Sequence, residues 1–472
     1  MDVSLLTIKK IHNGLINKKF SCEEVVKAYL NNIQKLDKEI NAFITVFDKQ
    51  AIGEAKEIDK SISQGKKLSA LEGVPVAIKD NMLVEGQKCT AGSKILDNYV
   101  APYNAEVVKK IKEQGGIILG KTNLDEFAMG ASGEYSAYGA TKNPHNLKYV
   151  PGGSSSGSAA AVSAQMSTVA LGSDTAGSVR YPSSLCGVVG MKPTYGAVSR
   201  YGLIALASSL DQIGPIAKNV EDAESLFNVI KGNDPMDATS YEQPKETDKK
   251  VDIKNLKIGV VKECLGQGVQ KEIIDITKEA ISKLEKEGIK IEIVSLPHIE
   301  YGVACYYIIM PAEASSNLAR YDGVKFGIVK ETDDLLSRYF ETRGEFFGAE
   351  VKRRIMLGTY CLSAGYYDSY YLKAQKMRDK IGQDFDNIFK KVDLLLTPTS
   401  PFLPFKLGER LEDPLSMYMA DLLTVPANLA GLPAISVPAG NVDNLPVGIQ
   451  FMAPKYQEKR IFKVAKFFED LC

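Results

Sequence analysis

The sequence predicts an α/β protein with a largely covered sheet, and three observations carry that expectation. Compact apolar runs of strand length recur along the chain, separated by segments of helical period. Those runs are apolar throughout, as in strands buried on both faces. The chain has 472 residues and 44% hydrophobic content, enough for a large core. Length alone suggests about three domains.

The elements follow in order. Residues 1–63 read as a helical N-terminal region. Leu5, Ile8, Ile11 and Leu15 recur at helical spacing, and Val25, Val26, Tyr29 and Ile33 do so again. Ser21 followed by Glu24 fits a capping box for the second helix. A strand is expected over 74–79, a helix over 105–114 and a strand over 117–119. Further strands are expected over 168–171, 257–261, 289–294, 392–396, 434–437 and 447–451. Helices are expected over 271–287 and 362–388. The polar segment 232–254, rich in Asn, Asp, Pro, Lys and Glu, reads as a surface connection.

Composition excludes several classes. Lys+Arg and Asp+Glu both total 58, so the net charge is zero and the basic excess of a direct nucleic-acid binder is missing. No run of about 18 apolar residues suggests a membrane span. The N-terminus has no basic start followed by a sustained apolar stretch, so no secretory leader is expected. Seven cysteines are scattered without a C-x-x-C pair, which points to a reduced, cytoplasmic chain. The three histidines, His12, His145 and His298, are too dispersed to suggest a metal site.

Chemistry is expected at two small-residue loops flanking one short helix. The first is Gly152-Gly153-Ser154-Ser155-Ser156-Gly157, and the second spans 172–182. Such loops let backbone N–H groups approach a ligand closely and supply serines as nucleophile or relay. Three readings compete. Residues 115–122 formally satisfy G-x-x-x-x-G-K-T, but a helical segment precedes them and the spacer Ile117-Ile118-Leu119 is itself strand-like. Residues 153–157 formally satisfy G-x-S-x-G with Ser155 as nucleophile, but the only later histidine is His298 and the preceding strand is poor. The third reading needs no histidine. A desolvated lysine serves as base, because burial disfavours the ammonium. Lys79 ends an apolar strand and leads into Asp80-Asn81. A lone lysine at a strand end is ordinarily a solvated charge; the neighbouring loops change that weighting.

Residues 152–183 resemble the fingerprint of the amidase signature family: G-[GA]-S-[GS]-[GS]-G, a small-residue helix, then D-x-[GA]-x-S-hydrophobic-R-x-P-small. The run Val76-Ala77-Ile78-Lys79-Asp80-Asn81 is similar to the family's lysine segment. The resemblance extends over most of the chain. It implies a single domain over 1–472 with a large mixed central sheet covered on both faces by helices. It also implies a Ser–Ser–Lys triad: Ser178 as nucleophile, Ser154 as relay after an unusual peptide bond, and Lys79 as base. The N–H groups of Thr175, Ala176 and Gly177 are the expected oxyanion donors.

More local runs resemble the A-subunit branch of the tRNA-dependent amidotransferases. They lie at 123–130, 191–196, 198–203, 209–215, 313–318, 351–355 and 413–421. That resemblance implies a glutaminase that hands ammonia to a B subunit. The B subunit would use ATP and Mg2+ to amidate Glu-tRNA(Gln) or Asp-tRNA(Asn), with a small C subunit completing a heterotrimer. No cofactor is implied in this chain, and tRNA contact falls mainly to the B subunit. Glutamine carries both charges, so a selective pocket needs a cation and an anion. Motif matching puts these at Arg354 for the carboxylate and Asp421 for the ammonium, with the Tyr306 phenol as hydrogen-bond partner. Arg353 and Tyr307 are adjacent alternatives. Ala176 and Ser156 replace common glycines, and Tyr181 stands where glutamine is frequent. These departures keep a stand-alone amidase for small or aryl amides as the alternative.

Overall fold

Eleven strands among the described residues join into one mixed sheet in the computed structural model, which describes residues 2–242, 244 and 253–472. In chain order they are β1 (Phe43–Val46), β2 (Pro75–Lys79), β3 (Ile117–Thr122), β4 (Val169–Asp174), β5 (Val189–Lys192) and β6 (Gln212–Ala217). Then follow β7 (Lys257–Val261), β8 (Lys290–Val294), β9 (Leu394–Pro398), β10 (Ala434–Val442) and β11 (Leu445–Met452). Their order across the sheet is β1-β3-β2-β4-β6-β5-β10-β11-β9-β7-β8. The run β3-β2-β4 is parallel, as is β9-β7-β8, and antiparallel pairs join the two runs.

Alternation along the strands sends side chains to two separate cores. Val76, Ile78, Ile118, Val169 and Leu171 pack with helices Glu106–Glu113, Val220–Ile230 and Glu458–Glu469. Ala77, Ile117, Leu119 and Ala170 pack on the opposite face with helices Cys22–Ile40, Asp48–Ser63 and Ser156–Ser163. The sheet is thus covered on both sides, as the α/β pattern required. No helix among the described residues is long and apolar enough to cross a membrane.

Several local expectations hold and others need correction. The capping box at Ser21 and Glu24 is formed, with the Glu24 N–H bonded to Ser21 Oγ at 3.1 Å. Residues 1–63 are not helical throughout, because Phe43–Val46 forms the edge strand β1 against β3. Four residues between two helices are too few for a periodic signal. Strands β5 and β6 add to those expected from the sequence. β6 contains Gly214 and Pro215 yet lies between β4 and β5, where proline usually argues against a strand. A Cβ on Gly214 would meet the Met191 carbonyl oxygen at 2.1 Å, so the close approach of β5 requires the glycine. The helix expected over 362–388 starts late: Lys373–Ile388 follows a π-helical turn at Asp368–Leu372, while residue 362 ends a separate helix, Ala349–Leu362, with Gly365 at φ +86° in the break between them. Within the expected connection 232–254, residues 243 and 245–252 lie outside the described residues. Its first part is anchored, with Ser199 donating to Asp234 at 2.6 Å and Arg200 paired with Asp237.

Candidate active site

Strands β3, β2 and β4 run parallel, so their carboxyl ends share one edge of the sheet, where open α/β sheets usually bind ligands. Lys79 is the last residue of β2 and is 0% exposed. Ile78 lies opposite Leu171, so β4 runs on past Lys79 to Ser173 and Asp174. Helix Ser156–Ser163 packs against these strands through Ala159, Ala160 and Ala161, which brings the loop before it over the same edge. The Gly153–Ser154 peptide in that loop is cis.

The Lys79 ammonium group is held by three hydroxyls. Its Nζ lies 2.8 Å from Ser154 Oγ, 2.9 Å from Ser155 Oγ and 2.9 Å from Ser173 Oγ. Ser155 is saturated: it accepts from Lys79 and the Ser173 N–H, and donates to the Ser173 carbonyl at 3.2 Å. Among the described residues Ser154 Oγ bonds only Lys79, from which it accepts, so its own proton has no acceptor there. Burial lowers the Lys79 pKa to about 7, against the opposing charges of Asp125, Asp174 and Asp211. A neutral amine is therefore accessible near neutral pH.

Ser178 lies on the next turn. It is 7% exposed, and its hydroxyl bonds no described residue. The Ser155 N–H donates to the Ser178 carbonyl at 3.1 Å and ties the two loops together. The N–H groups of Thr175, Ala176, Gly177 and Ser178 donate to no acceptor among the described residues. Gly177 sits at φ +139°, and a Cβ there would meet Thr424 Oγ1 at 2.2 Å, so the turn closes only around glycine.

Two buried carboxylates brace this turn. Arg180 donates through Nε and Nη2 to Asp174, both at 3.1 Å, and also to Gln450, Asn428 and the Thr424 carbonyl. Burial works against the Asp174 charge, yet Arg180 outweighs it and holds the carboxyl below its usual range. Asp211 accepts from Thr175 Oγ1 at 2.7 Å and from the N–H groups of Leu206 and Ala207. Replacing Arg180 by Met would leave the Asp174 charge buried and unpaired. We expect a loss of about 3–5 kcal/mol of stability, read as a lower urea midpoint.

The expected recognition residues cluster beside the turn. Arg354 is 3% exposed; its Nε donates to Glu350 Oε1 at 2.7 Å, and its guanidinium lies 5.3 Å from the ring centres of Tyr307 and Tyr418. Arg353 pairs with the same Glu350 but keeps a side chain 39% exposed. Burial thus separates the two arginines and directs Arg354 inward. Tyr307 donates to Asp421 Oδ2 at 2.8 Å, whereas Tyr306 packs edge-on against Tyr307 and its hydroxyl bonds no described residue. Burial raises the Asp421 carboxyl to about 7, although Tyr307 and Arg354 oppose the shift. The Thr424 N–H donates to the Asp421 carbonyl, so the 421–424 segment lies directly against Gly177.

The competing motifs find no chemistry here. Residues 117–122 are strand β3; Lys121 is buried and bonded to Asp80 at 2.6 Å rather than facing a ligand loop. His298 is paired with Asp384, and none of the Ser155 hydrogen bonds involves it. Ser155 and Ser173 both bond Lys79, and Asn81 joins the cluster by donating to Ser173. Their roles depend on the β2–β4 register, which has no local signature. Glu350 was legible in principle, since it lies four residues before Arg354 on one helix. No cluster of three or more His, Cys, Asp or Glu suited to a metal occurs among the described residues.

Known proteins resemble the chain in both sequence and fold. A sequence model of the Amidase family matches residues 24–462. The A subunit of the glutamyl-tRNA(Gln) amidotransferase from Thermoanaerobacter pseudethanolicus is 53% identical over 99% of this chain and 97% of its own. The one from Carboxydothermus hydrogenoformans is 54% identical over 99% and 98%. The crystal structure of the corresponding A subunit from Thermotoga maritima superposes with a TM-score of 0.81 at 45% identity, covering 98% of this chain and 94% of that one.

Proposed function

Because the chain belongs to the Amidase family, we propose that it is the glutamine-hydrolysing A subunit of a tRNA-dependent amidotransferase. The observation that carries the reading is the fully buried Lys79, hydrogen-bonded to a Ser154 whose hydroxyl bonds no other described residue. Full-length similarity to amidotransferase A subunits supports the substrate.

Ser178 Oγ attacks the side-chain amide carbon of glutamine. Its proton passes to Ser154 Oγ, while the Ser154 proton passes to neutral Lys79 Nζ. A C–O bond forms and the carbonyl oxygen becomes an oxyanion, met by the free N–H groups of Thr175, Ala176 and Gly177. The same relay then runs backwards. The proton returns to the amide nitrogen, the C–N bond breaks and ammonia leaves. Water, deprotonated through Ser154 and Lys79, hydrolyses the glutamyl ester and releases glutamate. Arg354 binds the α-carboxylate and Asp421 the α-ammonium; Tyr307, or Tyr306 beside it, supplies the phenol. The opposite charges of Arg354 and Asp421, both buried around Tyr307, support this assignment.

Ammonia then serves a B subunit, which uses ATP and Mg2+ to amidate Glu-tRNA(Gln), and Asp-tRNA(Asn) where that tRNA is misacylated. A C subunit completes a cytoplasmic heterotrimer, and this chain carries no cofactor of its own. The test is co-expression with candidate B and C subunits, measuring ammonia release and amidation of both tRNAs. Glutamine-dependent amidation is expected. Turnover of simple amides by the isolated chain, with no amidation in the complex, would favour the stand-alone amidase instead.

A further inference from the structure

Two adjacent carboxylates, Asp125 and Glu126, follow strand β3 and reach in different directions. Asp125 belongs to the catalytic side. Its N–H donates to the Ser154 carbonyl at 3.3 Å, and its carboxylate accepts from the N–H groups of Gly133 and Tyr135 at 3.0 Å. A Cβ on Gly153 would lie 2.1 Å from Asp125 Oδ2, so the loop before Ser154 rests directly on this side chain.

Glu126 is 3% exposed and reaches the recognition side. Its Oε2 accepts from the Gly348 N–H at 2.8 Å, and its other oxygen accepts from Ser93 Oγ. Gly348 is the N-cap of helix Ala349–Leu362 and has no side chain to cap it. A Cβ on Gly348 would lie 2.2 Å from Glu126 Oε2. The contact is therefore as close as the one Asp125 makes, and it too depends on glycine. Phe127 adds packing on the neighbouring Phe347, with ring centres 5.7 Å apart.

The helix that starts at this contact carries Glu350 and Arg354. Arg354 lies five residues into it, about 8 Å along the axis, so a small tilt at Gly348 displaces the guanidinium. We propose that Glu126 is a positioning residue for glutamine binding. It anchors the start of the Arg354 helix to the segment that also supports Ser154, and so sets the distance between the carboxylate-binding guanidinium and the nucleophile turn. The inference rests on Arg354 as the glutamine carboxylate partner.

The test uses the chain co-purified with its partner subunits. It compares glutamine with 4-aminobutanamide, which is glutamine without its α-carboxylate. Glu126→Ala is expected to raise KM for glutamine by about tenfold with kcat within about threefold, and to leave 4-aminobutanamide turnover nearly unchanged. Glu126→Gln, whose amide oxygen still accepts the Gly348 N–H, is expected to restore KM to near the wild-type value. Gly348→Ala is expected to raise KM from the other side of the same contact. An unchanged KM in Glu126→Ala, or equal losses on both substrates, would overturn the proposal. Arg354→Gln is the control: if it left glutamine KM unchanged, the reading of the pocket itself would fail, whatever Glu126 does.

Discussion

Alanine at Ser178 is expected to lower glutamine hydrolysis by about 10⁴-fold or more, with the fold intact. The reason is local. Ser178 has a solvent-reachable hydroxyl that bonds no described residue, on the turn whose four N–H groups meet no acceptor among the described residues. No acyl-enzyme is expected without that oxygen, because Ser154 and Ser155 are fully buried and engaged with Lys79. The same lack of partners means the substitution costs little, roughly 0.5 kcal/mol or less, since no buried bond is broken. Binding is expected to survive, because Arg354 and Asp421 remain. Ammonia release and calorimetric titration with glutamine check both halves. Substantial ammonia release by Ser178→Ala in the complex would place the nucleophile elsewhere.

Methionine at Lys79 is expected to lower the rate by about 10³–10⁴-fold while stabilising the protein at low pH. The two effects have one cause. Burial lowers the Lys79 pKa from 10.5 to about 7, against the charges of Asp125, Asp174 and Asp211. On the proposed mechanism the neutral amine is the active form, so wild-type activity is expected to rise as pH passes through about 7. Arginine at this position cannot release its proton and is expected to be as inactive as methionine.

For stability the sign follows from proton binding. Between about pH 7 and 10.5 the unfolded chain holds the Lys79 proton while the folded chain has released it. Stability from this group therefore rises with pH across that window, and its penalty is fullest below pH 7. Lys79→Met removes the penalty but leaves three serines short of a partner. A net gain of about 1–3 kcal/mol at pH 6, shrinking towards pH 10, is expected. Thermal unfolding of both proteins at several pH values measures it. A variant less stable than wild type at every pH would mean that the serine cage, not the lysine charge, dominates.

The covered α/β sheet was legible because strand runs and helix periods are local properties of the chain. The capping box at Ser21 is of the same kind. Strand β6 was not legible, because Gly214 and Pro215 deny it the usual strand composition and only its two neighbours justify it.

At the site, the absence of any suitably placed histidine, together with serine-rich loops and a lysine at a strand end, pointed to Lys79 as the base; the family fingerprint then singled out Ser154 and Ser178 among the serines. What the chain could not disclose locally is which serine holds the mobile proton. That depends on β2 and β4 lying parallel in one register, which brings Ser173 and Ser155 to Lys79 and saturates Ser155. The choice between Arg353 and Arg354 is of the same type. One-residue spacing on a helix separates them by about 100° of rotation, and only the packing of Tyr307 and Tyr418 decides which one faces inward. Residue chemistry pointed to a lysine-assisted serine and the family resemblance to an amide as its substrate; long-range register and packing decided which side chains meet, because those contacts join segments that share no neighbourhood in sequence.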